Sequence, residues 1–362
     1  MEYTAMDQYW IWLSSIEGLG VKRFYQLLSE YEDARSVWDN VGPQMSYIGK
    51  KAYENLRNAK SEQYLYTLFA MLDQKKIHAI SRLNDQYPPL LSAIYDPPPV
   101  LYVRGETDLS DEKTFAIVGS RTPTQDGRRA ATEIAEGLSQ EGIVVVSGMA
   151  RGIDTCAHQG ALKQHARTIA VLGCEVDIVY PPENDRLMAE IIDNGGSIIS
   201  EYMPGTPPLG QHFPARNRII TGLCPGTLIV EAAKGSGAMI SADNALEQGR
   251  DVFVVPGSIY SKLSVEVNRL LLTGALPVIG KWEILEQYRW AERPSQTDNR
   301  SNVQLTMEES IIVEPLRSEP LSFEEICQIS NFPTAKLNSL LTMLELRGII
   351  SKVPGGMYRA KQ

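Results

Sequence analysis

Residues 143–172 read IVVVSGMARGIDTCAHQGALKQHARTIAVL, and the rhythm of this stretch decides the fold class. An apolar, β-branched run (143–146) stops at Ser147-Gly148, a segment of helical character (153–164) follows, and a second apolar run (169–172) closes the unit. Continuous apolar strands separated by a helix belong to a parallel sheet covered on both faces. The same beat spreads outward, with apolar runs at 115–118, 197–200, 228–230 and 252–255 and helical segments such as 127–140 between them. Right-handed crossovers then build a doubly wound, Rossmann-like α/β domain, which binds ligands beyond the carboxyl ends of its strands.

On either side of this domain the pattern changes. Residues 1–75 read as a small helical module: Trp10, Leu13 and Ile16 recur at helical spacing, Gly18-Leu19-Gly20 interrupts, and Phe24, Leu27 and Leu28 resume. Two helices joined by Gly-x-Gly resemble the helix-hairpin-helix of DNA-binding proteins, whose turn can face N–H groups to a phosphate. The same pattern also serves as a plain tight turn, and that reading is preferred. Pro88-Pro89 and Pro97-Pro98-Pro99 mark an extended connector, ahead of a strand at 100–103. The main domain is expected over 76–290, a polar linker over 291–303 and a separate unit over 304–362. In that last unit Ser322 and Glu325 form a capping box, Leu337, Leu340, Leu341 and Leu344 form a helical stripe, and 349–359 reads as a hairpin around Pro354-Gly355-Gly356. Helices followed by a β-hairpin make a winged helix. Its second helix (334–347) offers only Lys336 and Arg347 as cations, against Glu345, so weak duplex binding and a protein-contact or regulatory role are expected.

The chain has 362 residues and a formal net charge of −9, which argues against a protein that coats duplex DNA. A nucleic-acid site must therefore be a local basic patch. No apolar run is long enough to span a membrane, and the acidic, aromatic start MEYTAMDQYW is unlike a signal peptide, so a cytoplasmic protein is expected. Cys156, Cys174, Cys224 and Cys327 are far apart, and His158 and His165 have no third ligand partner in sequence. Reduced thiols and no metal site are expected.

Gly119-Ser120-Arg121 follows the first central strand and matches neither the dinucleotide nor the P-loop fingerprint. The second strand ends in Ser147-Gly148 instead of the acidic residue that grips a ribose, so no redox cofactor is expected, nor any other. Two readings of Gly119, Ser120 and Arg121 stand side by side: an anion cradle with a guanidinium fork, or an ordinary strand-to-helix turn with a solvated arginine. Asp154 reads as a helix cap. Residues 213–237, FPARNRIITGLCPGTLIVEAAKGSG, concentrate the unusual chemistry. Phe213 offers a face for base stacking, Arg216 and Arg218 can hold phosphates, Asn217 can read a base edge or fix the loop, and Lys234 with Ser236 and Gly237 builds a second cradle. The competing reading makes Phe213 core and pairs one arginine with Glu231.

Six ordered blocks, FAIVGSR (115–121), SGMARGID (147–154), GCEVDIVYPPEN (173–184), FPARNRII (213–220), VEAAKGSG (230–237) and ALEQGRDVFVVPGS (245–258), resemble the DNA-processing protein A family (DprA/Smf). The resemblance covers essentially the whole chain. It implies a single-stranded DNA-binding protein of natural transformation and recombination, without catalytic residues. Such a protein protects incoming strands, loads the RecA recombinase and dimerises through the Rossmann-like domain. By motif position, Arg121, the Ser147-Gly148 loop, residues 213–218 and Lys234 would line the strand-binding pocket. Glu175, Glu266 and the Ser-Gly-Ala-Met-Ile-Ser run at 236–241 depart from the family pattern. A carboxylate pointing into a phosphate site would repel DNA. The alternative is a nucleotide-processing enzyme. Pro225-Gly226-Thr227 with Glu231 faintly resembles the lysine-decarboxylase-like phosphoribohydrolases, although the second glycine of their motif is missing.

Overall fold

β-Branched runs buried on both faces pair laterally, and in the computed structural model they form one nine-stranded sheet. Residues 3–110, 113–293, 305–353 and 356–360 are described. The chain divides into two compact units, Met1–Arg293 and Pro294–Gln362. Most of the linker expected at 291–303, and Pro354-Gly355 of the expected hairpin turn, lie outside the described residues.

The first unit begins with helices α1 (Ala5–Ser14), α2 (Val21–Tyr31), α3 (Ala34–Asp39), α4 (Lys50–Ala59) and α5 (Glu62–Gln74). Trp10, Trp12, Leu13, Phe24 and Leu27 share one apolar cluster, and the Trp12 indole N–H donates to the Ala59 carbonyl at 2.9 Å. Leu19, between the two glycines of the α1–α2 turn, is buried in the same cluster. Next come β1 (His78–Ser81), α6 (Pro89–Ser92) and β2 (Val100–Gly105). The repeating part follows: β3 (Thr114–Val118), α7 (Gln125–Gln140), β4 (Val144–Ser147), α8 (Ile153–Leu162), β5 (Thr168–Val171), α9 (Asp185–Asp193) and β6 (Ser197–Ser200). It continues with α10 (His212–Gly222), β7 (Gly226–Ile229), α11 (Gly237–Glu247), β8 (Asp251–Val254), α12 (Val265–Leu272), β9 (Leu276–Pro277) and α13 (Trp282–Gln287).

The strand order is β1-β2-β6-β5-β4-β3-β7-β8-β9. All neighbours are parallel except β1–β2 and β2–β6, so the domain is mostly parallel and Rossmann-like, with an antiparallel flank. Alternate residues of one strand enter opposite cores. Ala116 and Val118 pack with Ile219, Ala238 and Val267 under α10, α11 and α12, whereas Phe115 and Ile117 pack with Ala131, Ile134 and Ala157 under α7 and α8.

The second unit holds α14 (Met307–Ser318), α15 (Phe323–Ser330), α16 (Thr334–Leu346), β10 (Ile350–Val353) and β11 (Met357–Ala360), the last two antiparallel. The capping box of Ser322 and Glu325 is formed, and Leu337, Leu341 and Leu344 are buried with Ile312, Leu316 and Ile350. Three helices and a hairpin around one small core make a winged helix.

Candidate nucleic-acid interface

Strands β3 and β7 are neighbours, yet β3 leads into α7 on one face of the sheet and β7 into α11 on the other. Such a reversal leaves a crevice outside the carboxyl ends of the strands. An open cleft of about 600 Å³ occupies it, walled by the loop after β3, the loop before α11, the start of α10 and the β4–α8 loop.

At one wall α11 begins. Ser236 is its N-cap residue, but the side chain caps nothing; its hydroxyl oxygen is buried without a hydrogen-bond partner among the described residues. A buried hydroxyl left unpaired costs about 1–3 kcal/mol. The first N–H groups of a helix have no intrahelical acceptor, and the helix dipole adds partial positive charge there. The donors and partial positive charge of this wall are complementary to an anion. Gly237 opens the helix, and Lys234 is exposed beside Ala233 and Gly235 of the cleft wall, with no ion pair among the described residues.

Another part of the wall is Gly119, Ser120 and Arg121, which follow β3. Gly119 packs against Ile153 of α8, and the carbonyl of buried Ser120 accepts from the Ile153 N–H at 3.1 Å, which ties the loop to the start of α8. Arg121 is exposed and makes no ion pair among the described residues. Its guanidinium lies 5.6 Å from the centroid of the Phe213 ring. Phe213 is half-buried, with its ring centroid 5.0 Å from that of Tyr180 at a 31° tilt. An unpaired cation over one ring of an aromatic pair, in a cleft that a helix N-terminus also lines, suits a polyanion carrying flat groups.

The floor carries an opposed pair of charges. Gly148 is a close approach: a Cβ there would stand 2.6 Å from both the Arg216 guanidinium and the Asp154 carboxylate. Arg216 is 3% exposed and donates through Nη1 to the Gly148 carbonyl at 2.7 Å and to the Val171 carbonyl. Burial lowers its pKa to about 10. Burial also outweighs the pull of Arg216 on Asp154 and pushes that carboxyl up to about 6. Asp154 does not cap α8 from the N-cap position, which Gly152 occupies; it accepts from the Ala150 N–H at 3.3 Å.

Several expected contacts are therefore placed differently. Residues 213–218 are helical, so Arg216, Asn217 and Arg218 point about 100° apart instead of sharing one wall. Arg216 is committed to backbone carbonyls inside the protein. Asn217 staples α10 to α11, its amide donating to the Gly237 carbonyl at 2.9 Å. Arg218 is not among the cleft residues: it pairs with Asp96 at 3.1 Å and Glu201 at 2.5 Å. Ser147 is fully buried, and its hydroxyl donates to the Ile117 carbonyl at 2.6 Å, because the residue still belongs to β4. The three departures from the family pattern also resolve by position. Glu175 is buried and accepts from the Gly205 N–H and from Lys75, Glu266 pairs with Arg269, and neither lines the cleft. Ser241 and Ile240 do line it, near the foot of α11. Glu231 spends both oxygens on Thr124, accepting from its N–H at 2.9 Å and its hydroxyl at 2.6 Å, and so fixes the start of α7.

The sequence reading passed over Asp154 and Tyr180 as cleft residues. The only signal for Tyr180 was its place beside Pro181-Pro182 in the connection between β5 and α9; for Asp154 it was a carboxylate next to a glycine-rich loop. Among the described residues no cluster of three or more His, Cys, Asp or Glu could hold a metal ion, and no helix is long and apolar enough to cross a membrane.

Comparison with known proteins places the chain among known folds and families. Residues 78–289 match the family model described as DNA recombination-mediator protein A, and residues 296–356 match the DprA winged helix domain. The DNA processing protein DprA of Streptococcus pneumoniae is 44% identical over 216 residues, covering 60% of this chain and 76% of that one. Its X-ray structure superposes with a TM-score of 0.67 at 36% identity, over 79% of this chain and 99% of that one. Protein Smf of Synechocystis is 31% identical over 98% of both chains. A structure of DNA processing protein A from Helicobacter pylori, described for its single-stranded DNA binding mode, superposes with a TM-score of 0.53 at 30% identity, over 59% of this chain and 96% of that one.

Proposed function

The chain belongs to the DNA recombination-mediator protein A (DprA/Smf) family, and from that premise we propose that its cleft binds single-stranded DNA. The observation that carries this reading is that one cleft is lined both by the α11 N-terminus, with its partnerless Ser236 hydroxyl, and by unpaired Arg121 over the Phe213 ring of the Phe213–Tyr180 pair. Phosphates sit at the α11 N-terminus and on Arg121 and Lys234, and a base lies against the aromatic pair. The protein has no catalytic role in this reading. It works in the cytoplasm on incoming or recombining strands, protects them and loads the RecA recombinase. It acts as a homodimer through the Rossmann-like domain, a reading supported by exposed Ile259, Tyr260, Leu272 and Ile279 in the segments around the β9 edge. The division into 1–75, 76–290, 291–303 and 304–362 belongs to the same proposal.

Titrating a labelled single-stranded oligonucleotide and its duplex, across salt, tests the cleft. Single-strand affinity should fall steeply with salt, and Arg121→Glu should weaken it by roughly 10–100-fold, the worth of a lost charge-assisted contact, with no change in the thermal midpoint. Unchanged affinity in Arg121→Glu would sink the proposal. The phosphoribohydrolase alternative needs Glu231 for chemistry, but that carboxylate is occupied by Thr124. Free base released from nucleoside monophosphates would establish it instead.

A further inference from the structure

The loop that carries Gly148 also carries Arg151, at the mouth of a narrow slot beside the cleft. Arg121, Ala150, Tyr180 and Phe213 line both cavities, so the slot continues the cleft along the aromatic pair. Its two guanidinium groups differ in state. Arg121 has no ion pair among the described residues, whereas Arg151 is held by Glu183 through both carboxylate oxygens: Nη2 donates to Oε2 at 2.9 Å and Nε donates to Oε1. Two parallel N–H···O contacts are also how a guanidinium holds a phosphate. Both partners are about half exposed, at 56% and 49% of their side-chain surface, so the pair adds little to stability and can be exchanged at small cost.

We propose that Glu183 is a built-in competitor for the DNA strand. It occupies the phosphate position on Arg151, and a bound strand replaces its carboxylate with a backbone phosphate. Arg151 then becomes a second phosphate subsite beyond Arg121, and Glu183 holds affinity below what the basic residues alone would give. The inference rests on the reading of the main cleft as a strand-binding site. It assigns to this exposed pair a role that mere pinning of the 180–184 loop would not require, because a pinning contact helps binding whereas a competitor opposes it.

The test uses the full chain and a labelled oligothymidylate, with binding isotherms across a salt series for wild type, Glu183→Gln, Glu183→Ala, Arg151→Ala and the Arg151→Ala/Glu183→Gln double variant. Both Glu183 variants should bind about two- to fivefold tighter at low salt, the worth of an exposed ion pair. The plot of log affinity against log salt should also steepen. Arg151→Ala should bind more weakly, with a slope shallower by up to about 0.7, one phosphate contact on a single strand. In the Arg151→Ala background the Glu183→Gln gain should vanish. Equal or weaker binding by both Glu183 variants overturns the inference, as does a gain that survives without Arg151. If wild type binds, Arg121→Glu does not and the Glu183 variants match wild type, the competitor fails while the cleft stands. If wild type does not bind, both fall.

Discussion

Asp154 shows how much one buried carboxylate can set in the cleft. Its pKa is raised to about 6, mainly by burial, with the guanidinium groups of Arg216 and Arg121 pulling the other way. An acid whose pKa is higher folded than unfolded (about 3.9) favours the fold most below that unfolded value, and the benefit is lost as pH rises through about 6. On the order of 3 kcal/mol of stability is given up at neutral pH to keep this charge beneath the cleft. For a polyanionic ligand the consequence runs the same way: protonation removes a negative charge from the floor. Oligothymidylate should therefore bind several-fold tighter at pH 5 than at pH 7.5 at fixed ionic strength, and Asp154→Asn should flatten that profile and bind tightly at both. His158, the nearby buried imidazole, does not confuse the measurement, since burial and Arg216 lower its pKa to about 3. A wild-type profile that falls toward acid would reject this account. Arg216 illustrates the limit of reading residues by type. Its sequence context matched a phosphate fork, yet its nitrogens are used inside the protein.

At the scale of elements, the cleft depends on how closely α8 approaches the loop after β3. Gly152 makes that approach: its φ is 80°, and a Cβ there would stand 2.3 Å from the Ser120 carbonyl oxygen. Both the backbone conformation and the contact exclude a side chain. Gly152→Ala should therefore cost about 2–4 kcal/mol, strain and overpacking together, seen as a lower denaturant midpoint. It should also weaken strand binding by displacing Arg121. Retained midpoint and retained affinity would show that the loop accommodates the methyl group. The strands and helices of this region were legible from apolar periodicity, because burial on both faces imposes it. That residues 213–222 are helical was less so: FPARNRIITG mixes polar and apolar residues without a clean stripe, since α10 packs on the sheet on one side and contributes to the cleft on the other.

For the molecule as a whole, the acidic net charge of −9 and the winged helix bear on duplex DNA. The two cations of α16 and its C-cap are both taken within that unit: Lys336 pairs with Glu308, and Arg347 pairs with Glu309 at 2.5 Å. A helix whose cations are neutralised by its own domain has little to offer a phosphate backbone. Lys336→Ala in the full chain should change duplex affinity by less than about twofold, measured by gel shift across salt. A larger loss would mean that this helix contacts DNA after all.

The sequence by itself determined the alternating fold, the winged helix, the family and the loops that meet at the strand ends, because periodicity, capping and motif order are local properties of the chain. Only the tertiary structure decided which polar residues of those loops face the cleft. Helical geometry sent Arg216, Asn217 and Arg218 in three directions, and burial kept Ser147 inside the sheet. The switch between β3 and β7, parallel neighbours whose helices cross to opposite faces of the sheet, brought Arg121, Ser236 and Phe213 around one crevice. Side-chain direction and burial arise from packing between segments distant in sequence, and no local pattern encodes them.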